Sequence, residues 1–491
     1  MKKNLLYLVA RIGFTPLLLN QVMAQTATIN LNTTYQTIRG IGGANIIAWT
    51  GDLTPIQADL AFGNGNGQIG MSILRIRVSP DNTQWKQEVA TAKIAKSHGA
   101  IIFATPWTPP ASMKDNNSLV WGSLKTSSYA AYASHLKSFS TFMSTNGAPL
   151  YAISIQNEPD YQVTYESCSF TSAQFIDFLT NNAASIGNRI ISPESFQFKR
   201  PLSDAILNNA AAAANLSIVG GHIYGAGLAD YPLARQKGKD VWMTEHYTES
   251  NNSGNAWPLA LDVGTEIHNC MAANFNAYVW WYIRRSYGLI DESGTVTKRG
   301  YLMAQYSKFI RPGSVRVDVP NSPITNVNAT AYKKGDSVIL VLVNKSTSTQ
   351  SLKITLQNNT KTIPSFTKYT TSASKNVNND GKITVTSNSF TASLDAQSVT
   401  TFVGIGTLVT GLEEEFQENA GYAIYPNPFT ENVVVEGKGE FSYELHTLSG
   451  ERIQAGSAEN KVILGDKVTT GMYILKVRQK EETRMFKVNK F

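Results

Sequence analysis

Between residues 38 and 312 the chain repeats one pattern. A short run of apolar, strand-forming residues ends in a polar or Gly/Pro-rich tip, and a stretch with apolar positions at helical spacing follows. In order the runs are "IRGIGG", "SILRIRV", "AIIFATP", "YAISIQN", "RIISPE", "LSIVGGHIY", "VWMTEHY" and "AYVWWYI". The helical half is clearest before the fourth run. There Tyr129, Tyr132, Ala133, Leu136, Phe139 and Met143 fall on one face, Ser127 or Ser128 can cap the start, and Gly147 can end it. Eight strand-helix units across residues 38–312 predict a (β/α)8 TIM barrel, in which catalytic groups sit where the strands end.

From about Arg316 to Gly404 the period changes to two, in segments such as "SVILVLVNKS", "SLKITLQN", "KITVTSN" and "SVTTFVG". This predicts an antiparallel β-sandwich over residues 313–405. The early "ATINLNTTYQTI" has the same character, so residues 25–37 are expected to add an N-terminal strand to that sandwich and tie it to the barrel. Acidic "GLEEEFQENA" marks a linker at 406–420, and a small all-β domain is expected over 421–491. Residues 1–24 read as an export signal: Lys2 and Lys3, then an apolar stretch interrupted by Arg11 and Pro16, then "VMA" before Gln25.

Composition narrows the classes. The chain has 491 residues, 42% hydrophobic and 16% charged, enough for a large core and more than one domain. The formal charge of +7 falls by three without Lys2, Lys3 and Arg11, and the basic residues form no block of the kind nucleic acid requires. No later segment offers the 18 or so uninterrupted apolar residues of a membrane span. Two cysteines, Cys168 and Cys270, exclude a disulfide scaffold and a Cys-rich zinc site, and leave open whether they pair. The six histidines show no ligand spacing, so neither a metal nor another cofactor is expected; His222 ends the sixth run and could line the cleft or simply sit satisfied at the rim.

The chemistry is read from two strand tips. The fourth run ends in "QNEPD" and the seventh in "TEHY", which places Glu158 and Glu245 across a barrel mouth from each other. A carboxylate at the end of a core strand is costly without a partner or a task. Two facing carboxyls are what glycoside hydrolysis needs, one as proton donor and one as nucleophile, roughly 5 to 5.5 Å apart in a retaining enzyme. A partly desolvated seat for Glu158 beside a second carboxylate would keep it protonated. In "WWYIRRSYG" the residues Trp281, Ile283, Arg285 and Tyr287 share strand parity, so an aromatic, a guanidinium and a phenol are expected along one surface, with Arg284 turned away. An Arg fork grips a carboxylate through two parallel hydrogen bonds. All eight tryptophans precede residue 282; Trp107 in "TPWTPP" and Trp281 are singled out as sugar contacts and the rest read as core. Tyr165 and Tyr224, in the loops after the fourth and sixth strands, are further candidates.

Over roughly residues 28–404 the sequence resembles glycoside hydrolase family 30, and within it the glucuronoxylan-cleaving xylanases. The stretches that carry the likeness include "RGIGGANIIAW", "FATPWTPPASMK", "YAISIQNEPDY", "SPESFQ", "WMTEHY", "YVWWYIRRSYG" and "KRGYLMAQYSKFIRPG". The resemblance implies a (β/α)8 barrel with an attached β-sandwich, Glu158 as general acid/base and Glu245 as nucleophile. It further implies that Asn157 bonds the sugar's 2-hydroxyl and that Arg75 holds Glu245 ionised, a role for which Arg77 has the same parity. A glucuronate pocket would be formed by Arg285, Tyr287, Tyr247 and Ser250, with Ser253 or Asn251 as alternatives to Ser250. The expected activity is a secreted, monomeric, retaining endo-β-1,4-xylanase acting on glucuronoxylan. Rivals are glucosylceramidase, β-1,6-glucanase or unbranched-xylan activity on the same scaffold, or a non-hydrolytic xylan-binding surface protein. The last 70 or so residues, with Gly471 to Tyr473 read as a turn and a basic end, resemble the C-terminal sorting domains of type IX secretion, whose machinery is then the expected partner.

Overall fold

The computed structural model describes residues 25–248, 251–408, 421–448, 450–466, 468–480 and 482–491. The expected leader at 1–24, Ser250 and residues 409–420 of the linker lie outside them. Each apolar run is one strand of a closed barrel. The strands are β1 (Gly40–Ala44), β2 (Ile73–Arg77), β3 (Ile101–Thr105), β4 (Ala152–Ser154), β5 (Arg189–Ser195), β6 (Ile218–His222), β7 (Asp240–His246) and β8 (Ala277–Tyr282). Neighbours pair in parallel, and β1 closes on β8. Inward side chains from these strands, including Ile73, Phe103, Ala152, Ile191, Ile218, Trp242 and Val279, fill the barrel, so the mouth stands on a packed floor. A larger apolar layer lies between strands and surrounding helices.

The helix Tyr129–Thr145 buries Tyr129, Tyr132, Ala133, Leu136, Phe139 and Met143, the face its spacing predicts. Ser128 is its N-cap but makes no side-chain cap bond, because a 3-10 turn over Thr126–Ser128 feeds directly into the helix. Cys168 and Cys270 are both buried and both free.

The period-two segments form one nine-stranded sheet, joined by the N-terminal strand Thr26–Thr37. That strand lies antiparallel to Val315–Asp318 but parallel to Gln350–Gln357, so the expected wholly antiparallel sandwich is a mostly antiparallel sheet with one parallel seam. The seam arises because the strand enters from outside the run of hairpins that builds the rest. The helices Leu261–Ala272 and Lys298–Ser307 dock the barrel on this sheet. Gln305 exchanges hydrogen bonds with Thr371 and Thr401, and Gly264 lies so close that a Cβ there would sit 2.8 Å from Val399 Cγ2.

Residues 421–491 form a separate five-stranded antiparallel sheet around Val433, Val435, Phe441, Leu445, Leu475, Val477 and Val488. Gly471 to Tyr473, read above as a turn, opens the strand Gly471–Gln479. Tyr473 is buried and its hydroxyl donates to the Thr469 carbonyl at 2.8 Å, so the ring packs inside and draws the segment into the sheet. No helix among the described residues is long and apolar enough to cross a membrane.

Candidate active site

At the C-terminal ends of the strands the chain turns sharply. Glu158 beyond β4 and Glu194 within β5 adopt left-handed backbone, with φ of 42° and 52°. Such conformations cost of order 1–3 kcal/mol for non-glycine residues and persist where surrounding bonds enforce them. Here the Glu158 N–H donates to the Glu194 carbonyl at 3.0 Å, and the Asn157 N–H donates to the Pro106 carbonyl at 2.9 Å. These bonds fix the tip of β4 against β3 and β5.

Arg75, on β2 and fully buried, is the hub. Its Nη1 donates to Glu245 Oε2, its Nη2 to Asn157 Oδ1 at 2.7 Å and to Glu194 Oε1 at 3.5 Å, and its Nε to Thr105 Oγ1 at 3.3 Å. The guanidinium lies 4.8 Å from the centroid of Trp107. Arg77, of the same parity, is held elsewhere by Glu166, with Nε to Oε2 at 2.9 Å. The second Glu245 oxygen accepts the Tyr224 hydroxyl at 2.8 Å.

Glu158 and Glu245 meet through His222, the last residue of β6. The Nδ1 of this buried imidazole is 2.7 Å from Glu158 Oε1, and its Nε2 is 3.8 Å from Glu245 Oε2 and 4.0 Å from Glu194 Oε1. One oxygen of each glutamate and one ring nitrogen of His222 all lie within 4.8 Å of one another. Burial, with Asp160 and Glu194 nearby and Arg75 opposing, pushes the Glu158 carboxyl up to about 8. Burial likewise lowers His222 to about 4, so the ring is neutral near pH 7. The trio has ligand spacing for a metal, but the Arg75 guanidinium already donates to Glu245 Oε2, and its positive charge repels a cation there.

A cleft of ≈ 320 Å³ opens over the pair, lined by Trp49, Trp107, Glu158, Tyr165, Glu245, Trp281 and Tyr282. Trp49 meets Trp107 edge-on at 5.2 Å, and Trp107 and Trp281 are 5.8 Å apart. Trp49, expected with the core tryptophans, lines the cleft instead. It stands beyond β1, and the strand-end rule that picked out Glu158 would have found it. Glu194 and Tyr282 were also not singled out. Glu194 was visible as another strand-tip carboxylate. Tyr282 was hidden by a register shift between Gly43/Trp280 and Ala44/Tyr282, which bulges β8 at Trp281 and turns both Trp281 and Tyr282 to the mouth.

The same bulge corrects the parity reading of β8. Its regular strand ends at Tyr282, and Ile283 faces the outer core at 1% exposure instead of sharing a surface with Trp281. Arg285 and Tyr287 come from the following turn, closed by the Gly288 N–H on the Arg285 carbonyl at 2.8 Å. The Arg285 guanidinium is 5.2 Å from the Tyr282 ring and pairs loosely with exposed Glu292 at 3.7 Å. Tyr247 lies between Tyr224 and Tyr287, with centroids 5.4 and 5.3 Å away. Arg284 donates to Gln57 and to the Thr50 carbonyl. Tyr165 flanks Trp49 at 6.1 Å.

Comparison with known proteins adds to this geometry. Residues 423–490 match the model of the secretion system C-terminal sorting domain. The chain is 49% identical over 391 residues to the glucuronoxylanase XynC of Bacillus subtilis strain 168, covering 77% of this chain and 92% of that one. The family 30 subfamily 8 xylanase Xyn30A from Clostridium acetobutylicum has a TM-score of 0.73 at 43% identity, covering 78% of this chain and 100% of that one. A GH30 endoxylanase from Clostridium papyrosolvens C71 has a TM-score of 0.71 at 40% identity, covering 77% and 100%.

Proposed function

The chain belongs to glycoside hydrolase family 30 and is one of its xylanases, and from that premise we propose that it cleaves glucuronoxylan with retention, at positions chosen by a glucuronate branch. The carrying observation is the approach of the two carboxyls. Oxygens of Glu158 and Glu245 within 4.8 Å of each other match the short separation of a retaining pair, roughly 5–5.5 Å, better than the roughly 6.5–9.5 Å of an inverting one.

Glu245 is the nucleophile in this reading. Arg75 and Tyr224 both donate to it, which aims its carboxylate and compensates charge that moves during attack. As a Glu245 oxygen bonds to the anomeric carbon, the glycosidic C–O bond breaks and its electron pair passes to the departing oxygen. That oxygen takes the proton of Glu158, which is neutral near pH 7 because burial has raised it to about 8. In the second half Glu158 accepts a proton from water, the water oxygen attacks the anomeric carbon, and Glu245 leaves. Asn157 Oδ1 is engaged by Arg75, which turns its amide N–H groups to the sugar's 2-hydroxyl. Trp107, Trp281 and Tyr165 form the walls that hold the xylose ring.

Arg285, with Tyr287 and Tyr247, forms the branch site. An exposed pair with Glu292 is worth about 0–1 kcal/mol, so a substrate carboxylate that bonds the fork bidentately can replace it. Arg285→Ala is expected to lower kcat/KM on glucuronoxylan by about a hundredfold, the size of a lost charge-assisted pair, and to leave undecorated xylan within about twofold. Mass spectrometry of wild-type products should show one glucuronate at a fixed distance from each new reducing end. Equal losses on both polymers would overturn branch recognition.

A further inference from the structure

Glu158 protonates the departing oxygen, so the departing part of the xylan has to lie against the wall that carries Glu158. Three residues on in the same tip is Tyr161, whose N–H donates to the Glu158 carbonyl at 3.2 Å. Its ring stacks on Phe196, from the tip of β5, with centroids 3.8 Å apart and planes 6° from parallel. Phe196 in turn stacks on Tyr224 at 5.2 Å and 20°, and the Tyr224 hydroxyl is the one that donates to Glu245. Three rings thus form a ladder from the nucleophile's own partner to the protein surface.

The ladder is clamped. Asp160 accepts from the Ser195 hydroxyl at 2.9 Å and from the Phe196 N–H at 3.1 Å, and pairs with Lys199 at 3.1 Å. Its carboxylate therefore ties the β4 tip to the β5 tip and presses the two rings face to face. Tyr161 remains 42% exposed although one face is covered, so its other face is open to solvent. A large ring held flat, half exposed and backed by two others offers a fixed apolar face that suits a ligand with an apolar face of its own. A xylopyranose ring has such a face in its axial C–H groups, and it binds a fixed ring with little loss of side-chain freedom.

We propose that the open face of Tyr161 seats the first xylose on the leaving-group side, with Phe196 and Tyr224 as its backing and Asp160 as the clamp. This rests on the acid role of Glu158 given above. It adds a subsite on the wall opposite in function to the Arg285 pocket.

The test compares Tyr161→Ala, Tyr161→Leu and Tyr161→Phe on glucuronoxylan, with products mapped by mass spectrometry and folding checked by thermal unfolding. Loss of the flat face should lower kcat/KM about tenfold in the Ala and Leu variants, while Phe stays within about twofold. Transfer of the glycosyl group to added xylobiose, relative to hydrolysis, should fall in the same order. The branch position in the products should not change in any variant. An Ala or Leu variant within twofold of wild type, or a Phe variant as impaired as Ala, overturns the subsite. Wild-type products without a fixed branch position would instead sink the branch reading, and the Tyr161 rates would still be decided on the same polymer. Should the Ala variant fail to fold, the Leu variant, which keeps apolar bulk without a flat ring, carries the decision.

Discussion

Glu158 occupies a position that is unfavourable in three ways: left-handed backbone, burial, and two more carboxyls, Asp160 and Glu194, in its field. The last two act in one direction, because both disfavour the charged form. The acid must be protonated for the first half of the reaction, so kcat/KM should hold through neutral pH and fall as pH rises through about 8. Glu194→Gln removes one of the negative charges and leaves Arg75 to act more fully on Glu158. Both changes ease ionisation, so the alkaline limb of the pH profile should move to lower pH. A purely structural defect would lower the plateau without moving the limb. A limb that stays in place across a pH series of initial rates on glucuronoxylan would remove Glu194 from this electrostatic role.

At the scale of elements, the eight strands were legible because each is a short apolar run closed by a tip, and that pattern survives in every unit of the barrel. That Glu158 and Glu245 meet at the mouth was legible for the same reason: a charge at the end of an otherwise apolar strand has few structural excuses. What stayed hidden depends on contacts between runs. The bulge at Trp281 is a property of β1 and β8 together, so parity counted along "WWYIRRSYG" could not anticipate that Ile283 leaves the surface. The further bonds of Arg75 to Thr105, Asn157 and Glu194 likewise need five strands at once, and the bond of His222 to Glu158 needs the tips of β4 and β6 side by side. Packing of barrel on sheet is equally invisible, and Gly264 offers a way to probe it. An added Cβ would overpack against Val399 at 2.8 Å, costing about 1–3 kcal/mol, and the gain in helix propensity of about 0.5–1 kcal/mol offsets part of that. Gly264→Ala should therefore lower stability in the native background. In Val399→Ala, where the obstructing methyl is gone, the same substitution should be neutral or stabilising. Denaturant midpoints of the four proteins form a double-mutant cycle, and additive effects would show that this contact is not what requires glycine.

For the whole molecule, the described groups assigned to the chemistry lie in the first unit, which extends to Thr407, whereas the sorting domain has its own core from Phe429 to Val488. Two apolar cores with separate sheets imply two folding units, and loss of one need not melt the other. The site of division is constrained by pairing. Thr407–Leu408 forms a two-stranded ladder with Lys361–Thr362, so a cut before residue 407 would strip backbone partners from the barrel's own sheet domain, whereas a cut after Leu408 keeps that ladder. A chain ending at Leu408 should keep kcat/KM on glucuronoxylan within about twofold and its main unfolding transition within a few degrees, the scale of a ~1 kcal/mol change. Expressed with residues 1–24 retained in a host that has type IX secretion, it should accumulate inside the outer membrane while the full chain reaches the exterior. Cell fractionation followed by a reducing-sugar assay reads both results together. Export of the shortened chain would deny the sorting role to residues 423–490, and loss of activity on purified shortened chain would show that the C-terminal unit completes the catalytic one.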